Sequence, residues 1–261
     1  MKALIVTTAG RTEQRMMSLA NQIAKDLSTA YIDRRKVSVE EIQQKYKDDV
    51  LVVGKNRLEL HTLNGDEPFF FHPNSAMFRM KRLMKGEEDP LIKAAELTSG
   101  MSFLDCTLGL GSDSIVASFV VGNYGKSVGV EGNALLSYLV KTGLHTWDSG
   151  IETCNMAMRR VNVVSKDNLD YLKLLSSKSF DIVYFDPMFE EAIDESKGIS
   201  ALKNIAIYKD LTDEVLEEAK RVAIKKVILK DHWKSERFSR FGFSVLKRKT
   251  AKFHFGVLDL E

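Results

Sequence analysis

From residue 101 onward the chain alternates short apolar runs with amphipathic stretches, and few folds accommodate that order. The runs "SFLDCT", "SVGVE", "VNVVS", "DIVYF" and "KVILK" have the length and β-branched or aromatic content of strands. Between them, "SDSIVASFVV", "ALLSYLVKTGL", "IETCNMAMRR", "NLDYLKLL" and "LTDEVLEEAKRVA" read as helices. Repeated strand–helix order argues for a parallel α/β sheet, doubly wound, with helices on both faces. Two last runs, "FSVLKRKT" and "KFHFGVLDL", lie close enough to pair as a hairpin, so the sheet is expected to finish in an antiparallel strand.

A smaller α/β unit precedes this one. "ALIVTT" and "AYID" suggest strands, "EQRMMSLANQIAKDLS" and "SVEEIQQKYK" helices, and "DVLVVGKNRLELHTL" a hairpin turning at Lys55 and Asn56. The turn signal Asn64-Gly65-Asp66 marks its end. The expected organisation is therefore a small N-terminal α/β domain over 1–65, a connecting segment with a basic stretch over 66–100, and a large domain over 101–261.

Composition narrows the class. With 44% hydrophobic and 28% charged residues and only four prolines, the chain is an ordinary globular one. No run approaches the ~20 apolar residues of a membrane span, and no signal peptide is visible, so a cytoplasmic protein without a membrane partner is expected. Cys106 and Cys154 stand apart from each other and from any histidine cluster, which signals neither a disulfide framework nor a metal site. The net charge of +2 announces no nucleic-acid binder by itself. Basic residues do gather locally, in "RMKRLMK" (Arg79, Lys81, Arg82), in Lys220 to Arg237 and in "KRKTAK". Such clusters are most often solvated faces, yet Phe78 beside the first gives it the mixture suited to phosphate contact and base stacking.

Open α/β sheets bind ligands beyond the carboxyl ends of their strands. Asp105 ends one strand, and Gly109 and Gly111 form a turn that is either simply tight or open to close approach by a ligand. Glu131, about 20 residues further on, ends the next strand, where an acid accepts hydrogen bonds from ribose hydroxyls or else merely begins a helix. Asp167 and Asn168 follow "NVVS", placed to cap the next helix, to meet an adenine ring, or both. Together these suggest an adenosine-containing ligand, either a dinucleotide or S-adenosylmethionine. The corner "FDPMF" favours the second. An aromatic amine is a poor nucleophile because its lone pair is delocalised. The Asp186 carboxylate and the Pro187 carbonyl can hold its N–H groups and localise that pair, while Phe189 can stack on the base.

These motifs carry a resemblance. "DCTLGLGSD", "VGVEGNALLSYLVKTGL", "DPMF" with "SALKN", and "KKVILK" make the chain from about residue 101 similar to class I S-adenosylmethionine-dependent methyltransferases. It looks most like the bacterial 16S ribosomal RNA guanine-N2 methyltransferases of the RsmJ type, with weaker similarity upstream in "AMFRMKR" and "DPLIKAAE". The resemblance implies a Rossmann-like fold, S-adenosylmethionine as cofactor, and ribosomal RNA or the small ribosomal subunit as partner. It also implies cofactor contacts from Ser112, Asp113, Glu131, Gly132, Asp167, Asn168 and Asp186. Thr107 stands where the common pattern has its first glycine, as in the look-alike family, whereas "LMKGEEDP" replaces that family's glycine-rich stretch after the basic segment, and Asp231 follows Lys230 where the family tends to be basic. The same corner could serve a methyltransferase acting on DNA or a small molecule, and the same folds a non-catalytic S-adenosylmethionine- or RNA-binding module.

Overall fold

The computed structural model of the chain describes residues 4–65, 67–187 and 210–260. Phe189, named above as a stacking residue, lies outside the described residues. Two compact units divide at His72 and Pro73.

In the first unit, β1 (Leu4–Thr8) runs parallel to both β2 (Ala30–Tyr31) and β3 (Asp49–Val53), and β3 turns back into antiparallel β4 (Leu58–His61). The turn is closed by Gly54 N–H donating to the Arg57 carbonyl at 3.0 Å, with Lys55 and Asn56 at its tip. Helix α1 (Gln14–Asp26) buries Met16, Ala20, Ile23 and Ala24, one apolar stripe at helical spacing. Helix α2 (Val39–Tyr46) begins at a reciprocal cap. Glu41 N–H donates to Ser38 Oγ at 3.1 Å, and Ser38 N–H donates to Glu41 Oε2 at 2.7 Å.

The second unit opens with α3 (Asn74–Met84) and α4 (Pro90–Ala95), both packed into it. Then follow β5 (Ser102–Asp105), α5 (Ser112–Val121), β6 (Lys126–Glu131), α6 (Ala134–Thr146), α7 (Glu152–Arg160), β7 (Val161–Ser165), α8 (Asn168–Leu174) and β8 (Phe180–Phe185). After the next described residues come α9 (Asp213–Val222), β9 (Ala223–His232), α10 (Arg237–Arg240), β10 (Ser244–Leu246) and β11 (Phe253–Asp259). The sheet order is β10-β11-β9-β8-β5-β6-β7. Strands β5 to β9 are parallel, and β11 is antiparallel to both neighbours. This is a doubly wound sheet that finishes in an antiparallel strand, as the strand–helix order of the sequence implied.

Both faces of the central strands are covered, which explains their near-continuous apolar runs. Phe103, Ile182, Tyr184 and Ile228 meet Leu91 and Ala94 of α4 and Ala117 and Val121 of α5 on one side. Leu104, Val183, Phe185, Val227 and Leu229 meet Leu172 of α8 and Leu216 and Ala219 of α9 on the other. Elements β9 and β10 differ in length from the sequence expectation. Strand β9 extends to His232, because the seven residues of β11 pair with it from Lys226 onward. Conversely, β10 stops at Leu246, and the "KRKTAK" stretch forms the β10–β11 connection rather than strand.

One glycine decides how the loop after β5 sits on the sheet. Leu108 is buried, and its N–H donates to the Val130 carbonyl at 3.0 Å. Its isobutyl group occupies the space over Gly129, where an added Cβ would lie 3.0 Å from Leu108 Cγ and closer still to a methyl. Gly129→Ala is therefore expected to destabilise the protein by about 1–3 kcal/mol through overpacking. Urea denaturation of the Gly129→Ala/Leu108→Ala pair should show less destabilisation than the two single changes summed.

Candidate active site

Strand order reverses between β5 and β8: β6 and β7 lie on one side, β9 on the other. The crevice at such a reversal is where open α/β sheets take ligands, and the loops there are tightly organised. Asp105, at the end of β5, is buried, its Oδ1 accepting from Thr107 N–H at 3.0 Å and its Oδ2 from Ser114 Oγ at 2.8 Å. Burial pushes its pKa from 3.8 up to about 7 against the pull of those two hydrogen bonds, and the nearby carboxylates of Asp113 and Asp186 add to the rise. Thr107 has its own task. Its Oγ1 accepts the Asp186 N–H at 2.6 Å and so ties the end of β8 to the β5 loop, a link that a glycine could not make.

Gly109 has φ +50°, and the place of its missing Cβ is open, with the Thr107 carbonyl the nearest atom at 3.9 Å. Gly111, φ +75°, is the N-cap of α5 and sits against Leu108 and Val140. Ser112 and Asp113 form the first turn of α5. From the neighbouring strand, Glu131 reaches across, its Oε2 accepting from Gly109 N–H at 3.2 Å and its Oε1 from Asn133 N–H at 2.8 Å. Burial raises its pKa, opposed by the N–H groups of Asn133, Gly109 and Gly132. Asp167 caps α8 by accepting from Leu169 and Asp170 N–H, and Asn168 Nδ2 donates to the Cys106 carbonyl at 3.4 Å. The strand ends thus present a glycine cradle, a helix N-terminus and a carboxylate, the donor set that suits an adenosine-bearing amino acid.

Behind the cradle runs a chain of alternating charges. Arg79 of α3 donates to both Asp89 oxygens, at 2.7 and 2.9 Å, and pairs with Asp113. Asp113 Oδ2 also accepts from Tyr184 Oη at 2.8 Å and lies 3.3 Å from Lys230 Nζ. Lys230, in β9, donates to Asp186 Oδ2 at 2.5 Å. Burial raises the Asp113 carboxyl, but Lys230 and Arg79 outweigh it and hold the pKa well below the usual carboxylate range. Burial also raises Asp186, which Lys230 opposes and Asp113 reinforces, leaving it above its ordinary value. The side chain of Asp186 is 29% exposed, and its Oδ1 has no partner among the described residues.

Asp105, Gly109, Gly111, Glu131, Asp167, Asn168, Asp186 and Pro187 all belong to this strand-end region. Arg79 differs from the surface role the sequence suggested. Its guanidinium is used by two carboxylates and its side chain is only 19% exposed, because it points inward from α3 alongside buried Ala76 and Met80. Lys81 and Arg82 remain outward, Arg82 pairing with Glu87 and lying over the exposed Phe78 ring. Sequence reasoning missed Lys230, Tyr184 and Asp89. A lysine ending the strand next to "FDP" was the available sign of the first. Among the described residues no cluster of histidine, cysteine or acids could hold a metal, and no helix is long and apolar enough to cross a membrane.

Known proteins give a consistent context. The family described as "Putative SAM-dependent methyltransferase" matches residues 33–254. "Uncharacterized protein YpiP" of Bacillus subtilis (strain 168) is 50% identical over 255 residues, covering 98% of this chain and 99% of that one. "Ribosomal RNA small subunit methyltransferase J" of Vibrio parahaemolyticus is 28% identical over 201 residues, 70% of this chain and 75% of its relative. The crystal structure of the SAM-dependent methyltransferase NGO1261 from Neisseria gonorrhoeae shares the fold, with a TM-score of 0.63 at 16% identity over 98% of this chain and 95% of that one.

Two outcomes follow from the buried charges. Arg79→Met leaves Asp89 and Asp113 without their guanidinium and is expected to cost roughly 3–5 kcal/mol in urea unfolding. The second concerns pH. Unfolded, Asp105 loses its proton near 3.8, whereas in the folded chain it keeps it to about 7. The unfolded state therefore binds fewer protons across that window, and stability falls as pH rises. Asp105→Asn has no such proton, so its stability relative to the wild type should climb between pH 4 and 7, by up to ~4 kcal/mol, and then level off. Urea midpoints of both proteins at a series of pH values check this.

Proposed function

Because the chain belongs to the SAM-dependent methyltransferase family, with S-adenosyl-L-methionine as its cofactor, we propose that it methylates the exocyclic N2 amine of a guanine in small-subunit ribosomal RNA. The observation that carries the reading is Asp186. It closes β8 beside the glycine cradle, with one carboxylate oxygen fixed by Lys230 and the other free to accept. The small-subunit target is supported by the 28% identity to the Vibrio methyltransferase.

When bound, the cofactor would supply an electrophilic methyl group carried on a sulfonium, with the neutral thioether as leaving group. The chain's own residues position the partners. Glu131 holds ribose hydroxyls through lone pairs left after the Gly109 and Asn133 hydrogen bonds. The open face of Gly109 admits close approach, the first-turn N–H groups of α5 at Ser112 and Asp113 receive a carboxylate, and Asp167 and Asn168 border the adenine. The side chain of Asp113 acts at one remove, through Lys230. Asp186 Oδ1 and the Pro187 carbonyl accept the two N–H bonds of the target amine, turn its lone pair toward the methyl, and the departing proton is held at Oδ1. Orientation of this kind is worth roughly 7–11 kcal/mol of barrier, and fixed acceptors add to it. Phe189 completes the reading as the ring that stacks on the base.

Single-turnover methyl transfer to small-subunit RNA at saturating cofactor tests the assignment. Asp186→Asn should fold and bind cofactor but transfer methyl about 10²-fold more slowly or worse, because the amide presents one acceptor and a competing donor. Glu131→Ala should instead weaken cofactor binding by about 1–3 kcal/mol in calorimetry. An unchanged rate in Asp186→Asn would exclude its role.

A further inference from the structure

Beyond the site, β9 runs on. Its last residue paired with β8 is Leu229, opposite Phe185, so Lys230, Asp231 and His232 project past the end of β8. At about 3.3 Å per residue, Trp233 stands on the order of 10 Å beyond Lys230. Its side of the sheet is also where β11 begins, since Phe253 pairs with His232, and the 247–252 connection is anchored there by Trp233 N–H donating to the Lys252 carbonyl at 3.0 Å.

A singly exposed aromatic needs no explanation, but Trp233 does not stand alone. It is 52% exposed, with the His232 ring 5.8 Å away and Lys234 Nζ 5.0 Å from its centroid. His232 in turn lies edge-on to Phe253 at 6.2 Å, which backs the platform. Lys247, Arg248, Lys249 and Lys252 are exposed in the adjoining connection. From residue 230 to 252 the chain carries eight lysines and arginines against two acids, Asp231 and Glu236; Lys230, Arg237 and Arg240 are paired with Asp186, Asp210 and Asp213, and the cationic charge of the rim is carried by Lys234, Lys247, Arg248, Lys249 and Lys252. Asp231 is buried and spent on Arg237, at 3.0 Å, and on Ser235. The field at this rim is therefore positive, and an aromatic face within a cationic collar is the arrangement that takes an unpaired nucleotide, by stacking its base and meeting its phosphates.

We propose that the rim formed by Trp233, Lys234 and the 247–252 connection binds single-stranded RNA flanking the target nucleotide, one flanking base stacking on Trp233. The inference rests on the RNA reading above and adds to it a recognition surface distinct from Asp186. Trp233 is one of two tryptophans, so Trp147→Phe makes its emission the sole tryptophan signal. Adding a single-stranded small-subunit RNA fragment to that variant should quench it. Trp233→Ala should raise the KM for RNA roughly 5- to 100-fold, the range of one lost base stack, with cofactor affinity and urea midpoint unchanged, and Trp233→Phe should restore most of the loss. Replacing Lys234, Lys247, Arg248 and Lys252 by glutamine should flatten the salt dependence of binding. If the wild type binds and methylates RNA while Trp233 emission is unmoved and Trp233→Ala keeps the wild-type KM, the rim is not the RNA surface and the RNA reading stands. If the wild type neither binds nor methylates RNA, that reading fails and this inference with it.

Discussion

The Asp113 carboxylate is the point on which the strand-end region of the second unit depends. It sits in the first turn of α5 and gathers Arg79 from α3, Tyr184 from β8 and Lys230 from β9. Arg79 extends the contact to Asp89, the N-cap of α4, whose Oδ1 also accepts from Leu91 N–H at 3.0 Å. Three elements thus converge on one buried acid of α5, and a fourth, α4, joins through Arg79. Networks of this kind are a poor source of net stability, since desolvation consumes much of the Coulombic gain. Their effect here is positional, because each charge has partners of opposite sign in set directions.

Much of this was open to reading in the sequence, and for a physical reason. Parallel strands covered on both faces must be apolar nearly throughout, so "SFLD", "SVGVE" and "DIVYF" announced themselves, while their order across the sheet did not. The strand ends were legible because glycines and acids interrupt apolar runs there, which led to Gly109, Gly111, Glu131 and Asp186. The capping role of Asp167 followed from its position before a helical run. Charge partners were not legible. Arg79 was grouped with Lys81 and Arg82 because all three are basic and close in sequence, yet helical rotation turns Arg79 inward. Nothing in a linear string pairs residue 79 with 113, or 113 with 230.

Thr107 and Gly129 teach a related point. Each breaks a local expectation, a threonine for a glycine and a glycine within a strand, and each is explained by a contact made far along the chain. Thr107 accepts the Asp186 N–H. Gly129 makes room for Leu108. The loop after β5 is thereby pinned at both sides, to β8 and to β6, which holds the cradle at Gly109 in one shape before any ligand arrives. Preorganisation of this sort lowers the cost of ordering on binding.

The same logic bears on the character of Asp186. A carboxylate at a strand end, in a crevice that burial makes unfavourable for charge, tends toward its neutral form, in which one oxygen carries a proton and no longer accepts. Lys230 counters that tendency directly, through its ammonium on Oδ2. Asp113 works the other way, as a like charge, yet it also shares Lys230 and so keeps the ammonium buried and charged, with its pKa raised. Arg79 supplies Asp113 with a second counter-charge, on Oδ1, opposite the oxygen that faces Lys230. The alternation of sign along Asp89, Arg79, Asp113, Lys230 and Asp186 therefore ends on a carboxylate with one oxygen occupied and one available among the described residues, which is the state the proposed amine-accepting role requires.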